Sequence, residues 1–222
     1  MHRKISLYIF LIISLIPCYG DDFSFYADSV ISSIAKGDEK TQLLGHAKIV
    51  TETLTITADK IEIYGSNYRF ANCEGNVYVN DTDKGIKLSS NSMLYDRELD
   101  ISKVQGQAQM EDLRNELIVK GSYLENRGQE EITIIQVGVR VLKADLICRS
   151  EFALYRRQTD QLELSGFPYV ESKGDIYEAS RIHINLDTEE INLYGDVSGT
   201  VNQEEKPEET LDQNQQDKPN EQ

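Results

Sequence analysis

Leu54-Thr55-Ile56-Thr57-Ala58-Asp59-Lys60-Ile61-Glu62-Ile63-Tyr64 is the stretch that decides the fold. Apolar and polar residues alternate on both sides of Ala58, which predicts a strand with one dry face and one wet face. Between Ile56 and Ile61 the spacing is five, so the alternation breaks at the small residue. That break predicts a corner or bulge, where only a small side chain lets neighbouring chains approach.

Working outward, the small residue recurs as Ala27, Ala58, Ser90, Gly121, Ser150 and Ala179, at intervals of 31, 32, 31, 29 and 29. A second marker keeps the same period. Gly45, Gly75, Gly106, Gly138, Gly166 and Gly195 follow one another at intervals of 30, 31, 32, 28 and 29. Two markers at one period mean a supersecondary unit stacked on copies of itself. Turn geometry accounts for the glycines, since no helix follows them to make a phosphate cradle.

Later copies repeat the alternation through Ile86, Leu88, Met93 and Tyr95, then Leu117, Val119 and Leu124. Leu146, Cys148 and Leu154 follow, then Tyr177, Ile182 and Ile184. Short strands such as Leu99-Asp100-Ile101, Ile132-Thr133-Ile134, Leu162-Glu163-Leu164 and Ile191-Asn192-Leu193 lead back to each glycine. Polar turns at 80–85 and 125–129 separate strands. Residues 29–36 and 91–98 could pass for helices, but each copies a strand unit elsewhere. The expectation is an all-β, elongated, repeat-built chain whose opening unit, 23–44, is incomplete.

The two ends differ from the body. A basic start, His2-Arg3-Lys4, precedes the apolar run Ile5 to Ile16, too short for the roughly 20 residues a membrane span needs. Residues 1–20 therefore predict a secretory signal peptide, with Cys18 and Gly20 as small residues before cleavage at Asp21. Acylation at Cys18 is the rival, opposed by Pro17 just before it. Either way the chain is exported. From Asn202 to Gln222 seven acidic residues, two lysines and two prolines leave Leu211 as the one large apolar side chain. Such a segment cannot offset its ordering entropy and predicts a disordered acidic tail. Residues 21–201 are then a single domain.

Composition excludes several functions. The formal charge of −15 becomes −17 once Arg3 and Lys4 are removed, which argues against nucleic acid as a partner. His46 and His183 lie in distant repeats without further ligands at metal spacing, so no metal site and no cofactor are expected. The pairs Glu130-Glu131 and Glu189-Glu190 look like solvated charges at strand entries rather than a glycosidase dyad. His183 falls on the polar face of its strand, which predicts a solvated ring. No catalytic constellation is found. Cys73 and Cys148 could form a disulfide after export or stay as buried thiols.

Phe25-Tyr26-Ala27-Asp28-Ser29-Val30, Leu44-Gly45-His46-Ala47-Lys48-Ile49 and the stretch 54–64 resemble the periplasmic OstA/LptA family. Ala71-Asn72-Cys73-Glu74-Gly75-Asn76-Val77-Tyr78-Val79 is similar to that family's A-x-G-N-V step. The resemblance covers 23–99, and beyond it only the strand period continues. It implies an open-seamed β-jellyroll of stacked antiparallel strands that carries lipopolysaccharide between membranes and stacks end to end. The implied partners are lipopolysaccharide or another glycolipid, inner- and outer-membrane transport components, and further copies of the chain. The Ala-Asp signature weakens after Ser90, and the acidic tail is a departure from the family pattern.

An apolar groove suits that role, because each buried methylene of an acyl chain is worth ~0.8 kcal/mol. Its candidate lining begins with Ile49, Leu54, Ile56, Ile61 and Ile63 and continues through Val77, Val79, Leu88 and Met93. Val119, Leu124, Cys148, Leu164 and Ile184 extend it. The alternative is that these residues fill a closed core. Residues 23–32 and 191–201 are the expected edge strands, with Phe25, Ala27, Val30, Leu193 and Val197 as docking candidates. Unpaired edges invite strand addition; simple fraying is the alternative. A structural β-solenoid scaffold of the envelope, without lipid, is the second functional reading.

Overall fold

A computed structural model describes residues 23–33 and 39–202. The expected signal peptide, and the expected tail from 203 onward, lie outside the described residues.

Between Lys40 and Arg156, two 11- to 12-residue strands and their turns make up each thirty-residue unit. Short β1 (Ser24–Tyr26) and β2 (Ser29–Ser33) open the chain. Eight long strands follow: β3 (Lys40–Val50), β4 (Leu54–Tyr64), β5 (Phe70–Asp81), β6 (Ile86–Asp96), β7 (Ile101–Asp112), β8 (Leu117–Arg127), β9 (Ile132–Lys143) and β10 (Leu146–Arg156). Six short ones close it: β11 (Gln161–Ser165), β12 (Tyr169–Ser172), β13 (Asp175–Glu178), β14 (Arg181–Asn185), β15 (Ile191–Tyr194) and β16 (Ser198–Thr200). All belong to one sheet of 16 strands, with β1 and β2 at one edge and β15 and β16 at the other.

Every pairing is antiparallel; β3 to β11 pair in chain order as a meander rather than the coil of a solenoid, while β1 pairs with β3, β12 with β10, β14 with β11 and β16 with β13. The chain is all-β, as the alternation predicts, and an open-edged jellyroll of antiparallel strands, as the family resemblance implies. The stretch 29–33 and most of 91–98 are strand. The segmentation differs from expectation in three places. Residues 80 and 81 remain in β5, so the turn expected over 80–85 is 82–85. Residues 99 and 100 belong to a turn, and 125–127 remain in β8, so the turn there is 128–131.

Each long strand passes through a corner at its middle. There two residues of an odd strand oppose one residue of an even strand. Leu44 pairs with Lys60 and Ala47 with Ala58, which leaves Gly45 and His46 facing Asp59. This two-against-one count is a β-bulge, which bends the strand. Folding along this line brings the two halves of every strand face to face over one core.

The glycine period follows from the corner. Gly45, Gly75, Gly106, Gly166 and Gly195 all have φ between 71° and 74°. A Cβ on Gly75 would collide with the Asp59 side chain lying over it, as one on Gly45 would with Asp28. The irregular intervals of 32 and 28 also have a cause. In β9 the order is reversed, so that Val137 takes the first bulge position at φ 63° and Gly138 the second.

The single corner residue on even strands flips the inward parity. In β4 the buried positions run Ile56, Ala58, then Ile61, Ile63. In β10 they run Cys148, Ser150, then Ala153, Tyr155. Leu154 therefore points away from the core, against expectation, because Glu151 advances the phase by one.

Candidate functional site

Where the folded sheet's two free margins meet, the turns form two rims. One rim holds the turns after β4, β6, β8, β10 and β14; the other holds those after β3, β5, β7, β9 and β12. Within a rim, successive turns are joined by backbone hydrogen bonds. Arg97 N–H donates to Arg69 O at 2.9 Å and Gly128 N–H to Asp100 O at 2.8 Å on the first rim. Thr82 N–H donates to Thr53 O and Leu113 N–H to Gly85 O, both at 2.9 Å, on the second.

Side chains staple one rim to the other across the seam. Lys84 Nζ reaches Asp100 at 2.5 Å, Lys143 Nζ donates to Leu186 O at 2.7 Å, and Lys173 pairs with Glu189 at 2.5 Å. The strongest staple is buried. Arg157 donates to Asp112 from Nε at 2.7 Å and from Nη2 at 3.0 Å, and reaches Lys84 O at 2.6 Å. Tyr155 OH donates to the same carboxylate at 3.0 Å, and Arg114 N–H does so at 3.0 Å. Burial pushes the Asp112 carboxyl up, but Arg157 and Tyr155 outweigh it and hold it below the usual range. Two inward-facing runs end in these charges: Ala108, Met110, Asp112 in β7 and Ala153, Tyr155, Arg157 after β10. A charge in the inward phase of each of two strands was the signal for this pair, and the sequence reading missed it.

Before Lys84 the seam is open, and the interior is loose there. Ile49, Ala71 and Ile86 are each 7% exposed, whereas from Val104 onward no apolar core residue exceeds 3%. The opening leads into a cavity of about 320 Å³. Ile49, Leu54, Ile56, Ile63, Ala71 and Phe23 supply its apolar wall. Thr51, Thr53, Asp81, Asp83, Arg69, Lys84, Arg97 and Asp100 ring the mouth, with Tyr68 and Tyr95 between wall and ring. Elsewhere the interior holds spaces of about 30, 50 and 60 Å³, and at the far end a more polar opening of about 290 Å³ lies among Ser172, Lys173, Asp175, Tyr177, Glu189 and Ile191.

All fourteen lining candidates lie on the core side of the sheet. Thirteen are buried, and Leu54 packs against the core while half-buried. The cavity gathers Ile49, Leu54, Ile56 and Ile63. Val79, Leu88 and Met93 border the 30 Å³ space behind it, and Ile184 borders one of 60 Å³ at the far end. Ile61, Val77, Val119, Leu124, Cys148 and Leu164 are packed into the core. Both thiols are free and buried, which pushes each pKa up to about 12.

At the edges, Phe25 (44%), Val30 (44%) and Val197 (56%) are exposed, while Ala27 and Leu193 are half-buried. Tyr26, Ile31 and Tyr194 widen these apolar patches. The His183 ring is not solvated as expected: its centroid lies 5.0 Å from that of Tyr194, and its Nε2 is buried without a hydrogen-bond partner. Of the acid pairs, Glu130 meets Arg127 at 3.6 Å and Glu189 meets Lys173. Among the described residues no group of three or more His, Cys, Asp or Glu could hold a metal, and no helix is long and apolar enough to cross a membrane.

No protein-family model and no curated protein matches the chain. Among solved structures it is similar to LptH, described as the LptA homologous periplasmic component of the conserved lipopolysaccharide transport device from Pseudomonas aeruginosa. That match covers 82% of this chain and 96% of that one, at 8% identity and a TM-score of 0.26. At such values the assignment of the fold rests on the strand pairing itself.

Proposed function

We propose that the chain is a non-enzymatic periplasmic carrier of lipopolysaccharide or a related glycolipid. It holds acyl chain in its apolar interior and docks end to end through its edge strands. The observation that carries this reading is the apolar cavity at the unstapled end of the seam, whose volume of about 320 Å³ falls at the lower end of the roughly 300–1,000 Å³ typical of ligand pockets. A core made only for stability closes such a space, because interiors pack to crystal-like density. The unpaired outer edges of β1–β2 and β15–β16 support the docking half of the reading. The residue resemblance over 23–99 names the cargo and the implied membrane transport components as partners.

The tightly filled interior beyond Val104 favours the second reading, an envelope scaffold without lipid. Gentle purification of the mature protein from its native envelope, followed by mass spectrometry of bound lipid, separates the two. Stoichiometric glycolipid supports the carrier; lipid-free protein that forms filaments favours the scaffold. Ile56→Asp, in the cavity wall, should lower lipid capture before it affects end-to-end assembly. Assembly failing first would place the function at the edges alone.

A further inference from the structure

Lys120, Arg140 and Arg149 stand side by side on the outer face of β8, β9 and β10. The register sets Lys120 directly opposite Arg140, and Arg140 directly opposite Arg149. All three are exposed, and at the usual spacing of strands the row spans about 10 Å. Like charges in directly opposite places destabilise a sheet. Elsewhere the same sheet sets opposite charges there, as Lys60 and Glu74 show at 3.2 Å. None of the three cations makes an ion pair among the described residues. Arg149 lies over the Tyr169 ring, 5.6 Å from its centroid. The carboxylates around the row are held by other donors. Glu111 accepts from Gln109 at 2.9 Å, Glu171 from Tyr169 OH at 3.3 Å, Glu178 from Ser198 OH at 3.3 Å and Glu151 from the Gly138 N–H at 3.5 Å.

Apolar side chains border the row on both sides. In the next row of the same face Ile118, Leu142 and Ile147 stand opposite one another, half-buried. On the other side lies the corner. Four corners hold a glycine and a polar residue at their two positive-φ places: Gly45-His46, Gly75-Asn76, Gly106-Gln107 and Gly195-Asp196. In β9 and after β11 Val137 and Phe167 take one of those places, 57% and 93% exposed. Their φ values are 63° and 56°, where a branched or bulky residue is strained. Phe167 is two residues from Tyr169, and Val137 three from Arg140. Opposed cations and strained, exposed apolar residues gain nothing for the fold, and both lie on the same three strands and their corners.

We propose that this face docks on an anionic lipid surface, with Lys120, Arg140 and Arg149 against its phosphates and Val137 and Phe167 in the interface below them. The two kinds of group act at different ranges. The cations attract the surface within a Debye length, and the apolar side chains hold at contact. No groove for a peptide accompanies them: an added Cβ on Gly138, beside Val137, would meet nothing within 4 Å. A bilayer interface needs no groove. The cavity lies on the inner face of the sheet, so this docking is separate from the carrier reading.

The test mixes the full chain with vesicles of phosphatidylcholine, or of phosphatidylcholine and phosphatidylglycerol in equal parts, and separates bound protein by flotation. The protein should float with the mixed vesicles alone, less so as salt rises. Changing Lys120, Arg140 and Arg149 together to Gln should lower the partition roughly a hundredfold, since one basic residue at an anionic surface is worth about fivefold. Phe167→Ser should lower it about tenfold through lost apolar contact. Neither change should lower the melting temperature, because one removes opposed like charges and the other alters an exposed ring. Equal flotation with neutral vesicles, no flotation at low salt, or flotation that survives the triple variant overturns the proposal. So does cation-dependent capture of polyglutamate without flotation, which would make the face a site for an acidic protein segment.

Discussion

Replacing Arg157 with methionine removes the guanidinium from the middle of the seam and leaves Asp112 behind, its side chain 0% exposed. Methionine keeps most of the stem's packing, so the loss is chiefly electrostatic. Breaking a buried pair from one side costs about 3–5 kcal/mol. Asp112 keeps Tyr155, Asn115 and two backbone donors, so the lower end, about 3 kcal/mol, is expected. For a domain of this size that is a fall of roughly 6–12 °C in Tm. Differential scanning calorimetry at pH 7 measures it.

Adding Asp112→Leu should recover most of the loss, because a buried pair replaced on both sides by apolar groups is often neutral. The acid limb follows from the same pair. The Asp112 carboxyl is held below its ordinary value, so its contribution is present above the unfolded carboxylate pKa of about 4. It is lost as pH falls through the lower folded value. The double variant should therefore lose less stability than the wild type below about pH 4. An Arg157→Met variant within 1 °C of wild type would refute the reasoning, because the seam would then be held by its turns alone.

The corners make two opposed predictions. Val137→Gly should stabilise by about 1 kcal/mol, since the left-handed conformation costs an L-residue roughly 1–2 kcal/mol and glycine's extra entropy cost offsets only part of that. Gly75→Ala should destabilise by at least that amount in urea titration, and Asp59→Ala should relieve part of the loss by removing the colliding side chain. Cys73 and Cys148, with their pKa pushed to about 12 by burial, should resist thiol reagents at pH 8 until the protein unfolds, both then reacting together. Fast labelling of Cys148 in the native state would mean that the interior beyond the Arg157 staple opens.

The alternation in 54–64 and the thirty-residue glycine period contained the strands, the corners and both edges. These are local matters: side-chain period, backbone conformation and turn chemistry act within a few residues. Even the irregular intervals at Gly138 were a legible sign that Val137 occupies a strained place. Which glycine covers which neighbour needed the register, because Gly75 and Asp59 sit on different strands.

The lining candidates show where legibility ends. Alternation gave Ile56 and Val119 the same inward face, yet Ile56 borders a cavity and Val119 lies in a filled core. Leu154 was misplaced because one corner residue, Glu151, shifts the phase of everything after it in β10. His183 was misread because the ring that covers it, Tyr194, belongs to the next strand.

By itself, the sequence determined that this chain is all-β and repeat-built, its strands dry on one face and broken at regular small residues, with expected edge strands at its two ends; the antiparallel pairing order came from the structure. Only the tertiary structure decided that the fold is stapled shut from Lys84 onward and open before it. Asp112 and Arg157 are 45 residues apart, and a charge on a strand reads the same whether or not an opposite charge waits across the seam. Cavity volume is likewise a sum over both halves of every strand, which exists only once they have folded together.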